Sequence, residues 1–266
     1  MWDILVVVLM GVVEGVTEFL PVSSTGHLLL VQYFMGEGRP EVFNVVIQFG
    51  AIIAVVMIYW QKLVDLAVNL RDPSRMDYVL KLGVAFGFTV VPMLILKKMG
   101  LELSHNPWPI AMALVFGALA IFGAEMLLAR RPGEDNITWT TAVVVGLSQV
   151  VAGVFPGTSR SAATIIGAML VGRSRPAATE FSFLIGIPTM FAASAYDLYK
   201  ARNDPYLTSG HGLFEIALGF AVSCAVAFVV VKWLLKYVQS NTFLPFAWYR
   251  LIVGDVLLLA LWMGWM

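Results

Sequence analysis

Charge is the scarcest commodity in this chain. Only 13% of its 266 residues are Asp, Glu, Lys or Arg, while 59% are hydrophobic, against about 25% charged in a typical soluble domain. Its mean hydropathy is +0.84. A chain so poor in charge excludes an ordinary water-soluble globule and belongs in a bilayer. The 17 basic and 17 acidic residues cancel, so no basic excess points to a nucleic-acid partner. A single cysteine, Cys224, excludes an intrachain disulfide and a cysteine-built metal cluster. No Gly-x-x-x-x-Gly-Lys occurs, which excludes a Walker loop. The apolar start, Ile4 to Val13, lacks a basic segment before it, so no cleavable signal peptide is expected.

Long apolar runs supply what the composition promises. Phe43 to Trp60, Tyr78 to Leu96, Trp108 to Ala129, Phe181 to Tyr199, Leu213 to Val231 and Phe243 to Trp265 each approach the roughly 20 residues that cross a hydrocarbon core. Two other regions are different. Ile4 to Leu20 and Leu28 to Phe34 flank one polar turn, and Trp139 to Phe155 and Ala162 to Val171 flank a second. Neither flank is long enough to cross, and irregular backbone at membrane depth persists only inside protein or beside a wet cavity. The expectation is an all-α polytopic membrane protein of about six transmembrane helices plus two re-entrant helix pairs. It forms a single integral membrane domain over 1–266, with one repeat over 1–130 (motif 11–27) and another over 136–266 (motif 146–164).

The two turns echo each other. At an offset of 135 residues Gly11 meets Gly146, Glu14 meets Gln149, Val16 meets Val151, Pro21 meets Pro156 and Ser24 meets Ser159; Glu18 faces Gly153, and Thr25 faces Arg160. One re-entrant pair plus three spans is an odd number of crossings per half, so the second half enters from the opposite side and the repeat is of inverted topology. Basic residues bear on the orientation: Lys62, Arg71, Arg75, Lys81, Arg130, Arg131, Arg173, Arg175, Lys232 and Lys236 gather on one side, against Arg39, Lys97, Lys98, Lys200 and Arg202 on the other. The positive-inside rule makes the first side cytoplasmic and puts both termini outside.

Costly polar groups concentrate in the turns. Glu14 and Glu18 share a helix face at a spacing where like charges repel, so a divalent cation, a shared proton or an arginine must compensate; the plain alternative is a pair snorkelling to the interface. Two carboxylates suit a hard oxygen-liganded ion, Mg²⁺ or Ca²⁺, whose shell a phosphorylated substrate completes. Ser23, Ser24, Thr25 and His27 crowd the first turn, where a nucleophile and a proton-transfer group can meet, or where a hydroxyl simply caps the helix Gly26 to Phe34. Gly157, Thr158, Ser159, Arg160 and Ser161, with Thr164 beyond, form an anion cradle: glycine admits backbone N–H groups, hydroxyls donate, and a guanidinium matches phosphate. A helix starting near Ser161 adds its positive end. Glu125 is expected to pair with Arg130, Asp255 with Arg250, and His211 to be solvated. Trp60, Trp108 and Trp139 read as interfacial anchors, Pro92 and Pro188 as kinks.

Glu14-Gly-Val-Thr-Glu-Phe-Leu-Pro-Val-Ser-Ser-Thr-Gly-His27 and Pro156-Gly-Thr-Ser-Arg-Ser-Ala-Ala-Thr164 resemble the two signature motifs of the undecaprenyl-diphosphate phosphatase, or bacitracin-resistance, family. The resemblance covers essentially the whole chain, including Phe-Ala-Trp-Tyr-Arg250. It implies hydrolysis of the C55 isoprenyl diphosphate to the monophosphate and phosphate, which recycles the lipid carrier of cell-wall synthesis, in the bacterial cytoplasmic (inner) membrane with the active site facing the periplasm or exterior. It also implies dependence on a divalent cation. Carried over residue by residue, the acidic pair falls on Glu14 and Glu18, the serine and histidine on Ser24 and His27, and the arginine on Arg160. Ser24, His27 or an activated water is the attacking group. The partners implied are the lipid diphosphate and membrane lipids, with a homodimer left open. A transporter or flippase for a lipid phosphate or other anion is the alternative, because inverted repeats also build carriers.

Overall fold

The structure is a computed structural model that describes residues 2–36, 39–100, 107–130 and 133–264; the expected ends at Trp265 and Met266 fall outside them. Its helices, in chain order, are α1 (Trp2–Thr17), α2 (Ser24–Met35), α3 (Glu41–Ile58), α4 (Trp60–Val68), α5 (Pro73–Lys98), α6 (Pro107–Arg130), α7 (Trp139–Val154), α8 (Arg160–Leu170), α9 (Arg175–Lys200), α10 (Pro205–Thr208), α11 (Gly210–Tyr237) and α12 (Leu244–Trp262). An isolated bridge between Glu134 and Arg173 is the only β pairing among the described residues. Helix is what an apolar chain must form in hydrocarbon, where each backbone N–H and C=O has to be satisfied within its own segment.

Six helices are long and apolar enough to cross a membrane: Glu41–Ile58, Pro73–Lys98, Pro107–Ala129, Arg175–Asn203, Gly210–Tyr237 and Leu244–Trp262. They coincide with the six apolar runs read from the sequence. The chain is a multi-pass membrane protein. Large apolar side chains such as Val91, Phe116, Val229, Ile252 and Val256 are exposed on these helices, as lipid-facing positions should be. α1 and α7, with 16 residues each, are about 24 Å long at 1.5 Å per residue, short of the roughly 30 Å hydrocarbon core. Each breaks at a proline-containing turn and resumes as a short helix, α2 with 12 residues or α8 with 11.

Packing interleaves the two halves. α1 lies on α11 and α7 lies on α5, so each broken helix packs on a span from the other half, while α6 packs on α12. Gly11 and Gly146 make those approaches close: a Cβ on Gly11 would lie 2.9 Å from Gly219 O, and one on Gly146 would lie 2.6 Å from Ala85 O. The matched glycines therefore serve helix contact rather than the turns. Glu125 is held by Arg175 and accepts the Phe243 N–H at 2.7 Å, because α6 runs beside the start of α9 and α12; the side chain of Arg130, its expected partner, lies outside the described residues. Arg250 turns away from exposed Asp255 to backbone carbonyls. His211 is largely exposed, as expected, with its Nε2 3.3 Å from buried Glu215.

Candidate active site

The two turns meet, and the serine at each sets the geometry. Ser23 has φ 77° and ψ 95°, and Ser159 has φ 69° and ψ 114°; they are the only non-glycine residues with positive φ among the described residues. A conformation this unfavourable for an L-residue persists only where surroundings enforce it, and such strain gathers at functional sites. Each serine caps the helix that follows. Ser23 Oγ accepts from Gly26 N, and Ser159 Oγ from Ala162 N.

This equivalence corrects the register of the repeat. One residue, Val22, separates Pro21 from the first cap, whereas Gly157 and Thr158 separate Pro156 from the second. Gly157 takes φ 90°, and a Cβ there would lie 2.7 Å from Ile110 Cα, so only glycine serves. Ser23, not Ser24, thus corresponds to Ser159, and Ser24 corresponds to Arg160. Both of the latter open their helices, and both reach the same carboxylate.

That carboxylate is Glu18, which is 6% exposed. Ser24 Oγ donates to its Oε2 at 2.6 Å, and Arg160 Nη2 donates to its Oε1 at 3.2 Å. Arg160 stacks over the Phe19 ring at 5.4 Å, and its Nε and Nη1 are buried without a hydrogen-bond partner. Gly186 makes room for it, since a Cβ there would lie 2.3 Å from Nη1. A guanidinium with two nitrogens unpaired has donor capacity that an anion can take up once the side chain turns.

A cavity of about 280 Å³ opens onto these groups. Glu18, Ser23, Ser24, Thr25, Gly157, Ser159 and Arg160 line it from the turns. A neutral wall completes it: Gln149 Nε2 donates to Thr89 Oγ1 at 2.9 Å, Thr189 Oγ1 donates to Gln149 Oε1 at 2.9 Å, and Gln48 lies alongside. The sequence reading left Gln48, Thr89 and Thr189 unassigned. Their signal was present, as amide and hydroxyl groups inside otherwise apolar runs.

Other expected site residues fall outside the cavity lining. Ser161 and Thr164 are fully buried behind the second turn; Ser161 Oγ donates to Leu20 O at 2.9 Å, and Thr164 Oγ1 to Arg160 O at 2.8 Å. Those hydroxyls are spent on backbone. Thr158 offers its carbonyl to Arg250 at 3.1 Å. His27 also faces elsewhere. Its Nδ1 sits 2.6 Å from Ser23 O, which can only accept, so Nδ1 carries a proton; in the neutral ring Nε2 then accepts from the Tyr249 hydroxyl at 2.5 Å. The imidazole stacks on Tyr249 at 5.6 Å and 8°. It braces the carbonyl of the strained Ser23 rather than touching Ser24.

Glu14 lies one helical turn behind Glu18, 1% exposed, and its Oε2 has no hydrogen-bond partner. Two neighbouring buried carboxylates with one arginine between them leave a negative charge that a cation or a proton must offset. No group of three or more His, Cys, Asp or Glu that could hold a metal occurs among the described residues. The donor set nonetheless fits a hard divalent cation that takes one or two carboxylates and fills its shell with phosphate and water.

A family model described as "Bacitracin resistance protein BacA" matches residues 7–256. An undecaprenyl-diphosphatase of Rhizobium johnstonii is 53% identical over 251 residues, covering 94% of each chain. One from Xylella fastidiosa is 47% identical over 259 residues, covering 97% of this chain and 98% of its own. One from Xanthomonas oryzae is 47% identical over 260 residues, covering 97% of both.

Proposed function

This chain belongs to the bacitracin resistance protein BacA family, and we propose from its relatives and its site how it acts. It hydrolyses undecaprenyl diphosphate to undecaprenyl phosphate and inorganic phosphate, which recycles the lipid carrier for cell-wall synthesis and confers resistance to bacitracin. The observation that carries the mechanism is the joint hold on Glu18, with a serine hydroxyl on one oxygen and a half-free arginine on the other.

In this mechanism the Arg160 guanidinium, which lines the cavity, turns to bind the terminal phosphate, and the N-terminal ends of α2 and α8 add backbone donors and positive potential. Ser24 Oγ attacks the terminal phosphorus while its proton passes to Glu18. The bond from that phosphorus to the bridging oxygen breaks, and undecaprenyl phosphate leaves with the electron pair. Glu18 gives the Ser24 proton to the departing undecaprenyl phosphate; water then attacks the phosphoserine phosphorus while Glu18 takes a proton from the water and returns it to the Ser24 oxygen as inorganic phosphate leaves. The turns accomplish this mainly by placing the groups in line and by stabilising charge on the equatorial oxygens. Glu14 and Glu18 would hold a divalent cation, Mg²⁺ or Ca²⁺, which when bound supplies positive charge to the diphosphate. The commitment of both His27 nitrogens favours Ser24 as nucleophile and gives His27 a bracing role.

The two halves form an inverted repeat in a bacterial inner membrane, with both termini and the site on the exterior face. Support comes from the matched turns, the interleaved packing and the basic residues on the opposite side. Purified protein with the C55 diphosphate and Mg²⁺ is expected to release phosphate, and Ser24→Ala and Arg160→Ala to abolish the release. Rapid acid quench with labelled terminal phosphate should place the label on Ser24. Retained lipid binding without phosphate release in the wild type would point instead to a carrier.

A further inference from the structure

A site divided between two turns needs something to hold them in register, and the ion pair that joins them is unsuited to the task. Arg160 grips Glu18, yet on the mechanism above Arg160 turns to the phosphate and Glu18 takes a proton. A link that loosens during turnover cannot keep the spacing. Among the described residues, the remaining hydrogen-bonded cross-links between the turns are Ser161 Oγ to Leu20 O at 2.9 Å and the side chain of Arg250.

Arg250 stands on α12 and is 0% exposed, the largest side chain buried so completely. Its Nη1 donates to Pro21 O at 3.3 Å and to Thr158 O at 3.1 Å, thus to one carbonyl in each turn. Its other contacts fix it to α6, through Nε to Leu114 O at 3.3 Å and Nη2 to Ala113 O at 2.8 Å. It makes no ion pair among the described residues. A buried cation without a counter-ion is expensive, and an apolar residue would join α12 to α6 at lower cost. What only a guanidinium offers is a rigid planar fork that reaches several carbonyls at once.

The carbonyls chosen are informative. The Thr158 oxygen belongs to the peptide that leads into Ser159, the strained cap, so fixing that oxygen fixes the plane about which Ser159 holds its positive φ. The Pro21 oxygen lies two residues before Ser23, the other strained cap. Gly117 on α6 gives independent support. A Cβ there would lie 2.0 Å from Arg250 Nη2 and 2.6 Å from Cζ, so the backbone of α6 is bare where the fork passes.

We propose that Arg250 is a positioning residue that ties the turn bearing Ser24 to the turn bearing Arg160, and thereby sets the spacing between nucleophile and phosphate receptor. The proposal rests on the hydrolase reading for its kinetic consequence but not for its structural one. Misplacement by about 1 Å costs on the order of 100-fold in rate. Arg250→Lys keeps the charge but loses the fork. Gly117→Ala keeps the arginine and displaces it.

Both variants are tested in the full-length purified protein against wild type. Each is expected to lower kcat by about 10- to 100-fold, with KM for the lipid diphosphate changed less than about threefold. Adding Ser161→Ala to Arg250→Lys should reduce kcat by more than the product of the single effects, because the two links share one task. Amide exchange should speed up in residues 22–24 and 157–160 together, with the six spans still protected. Unchanged kcat and unchanged exchange in the turns would overturn the proposal, as would exchange accelerated throughout the protein. If wild type releases no phosphate, the hydrolase reading fails, and the exchange measurement alone still decides whether Arg250 clamps the turns.

Discussion

The two turns share a backbone and divide the chemistry. Each breaks a helix too short to span, caps the next helix with a serine at positive φ, and aims that helix's first residue at one point. In the first turn that residue is Ser24, and in the second Arg160. Behind them Glu14 corresponds to Gln149, and Glu18 to Gly153. One half has the carboxylates and the Ser24 hydroxyl; the other has the Arg160 cation and neutral groups where the first has acids. Had both halves carried glutamates, four carboxylates would face one anion, a repulsion that a single arginine does not offset. Similar turns supply the frame, and the differences between them supply the charge separation that phosphate chemistry needs.

The sharpest test removes the chemistry from one side only. Ser24→Ala should lower kcat by about 10⁴-fold, as loss of a nucleophile does, and Glu18→Gln by about 10³-fold, because it removes the proton acceptor and one end of the Arg160 link. Phosphate-release assays on protein of normal helical content check both. On the other side, Arg160→Lys should cost about 100-fold and show mainly in kcat, since an ammonium cannot reach Glu18 and the phosphate together. A larger loss for Arg160→Lys than for Ser24→Ala would break the division of labour.

A second pair of substitutions probes the acids against their neutral counterparts. Glu14→Gln should raise the Mg²⁺ concentration for half-maximal activity about tenfold, by removing the carboxylate oxygen that has no protein partner, and chelation should silence the wild type. Gln149→Glu places a carboxylate in the opposite half. It should not improve activity but raise KM about tenfold, because it sets negative charge in the cavity wall and breaks the bond from Gln149 Nε2 to Thr89. A metal titration with each variant separates the two effects.

Much of this was legible in the sequence, because hydrocarbon allows few solutions. Apolar runs of the right length fixed the spans, and Glu14, Glu18, Ser24 and Arg160 stood out as polar groups too costly to be incidental. What was hidden depended on backbone conformation. Letters alone align Ser24 with Ser159, and only the torsion angles show that Ser23 is the true counterpart and that the second turn holds an extra residue. Partners distant in the chain were hidden for a related reason: Arg250 reads as a partner for Asp255, and nothing local predicts carbonyls of Pro21 and Thr158 as its neighbours, or the ring of His27 as that of Tyr249. Arg175, which holds Glu125 across the fold, was hidden for the same cause.

The smallest expected effect tests whether the caps are strained alike. Replacing a capping serine by glycine loses its side-chain bond, a cost of a few tenths of a kcal/mol, but relieves a backbone conformation that costs an L-residue about 1–3 kcal/mol. Glycine also gains entropy in the unfolded chain, which offsets about 0.4–1 kcal/mol of the relief. The net for Ser159→Gly is a stabilisation of about 0–2 kcal/mol. Ser23→Gly should gain less, because His27 Nδ1 already braces the Ser23 carbonyl at 2.6 Å while the Ser159 carbonyl has only the helical bond from Ala163. Thermal unfolding in detergent compares the two. Equal shifts would mean that His27 contributes nothing to holding the first turn, and a loss of stability at Ser159 would mean that the capping bond outweighs the strain.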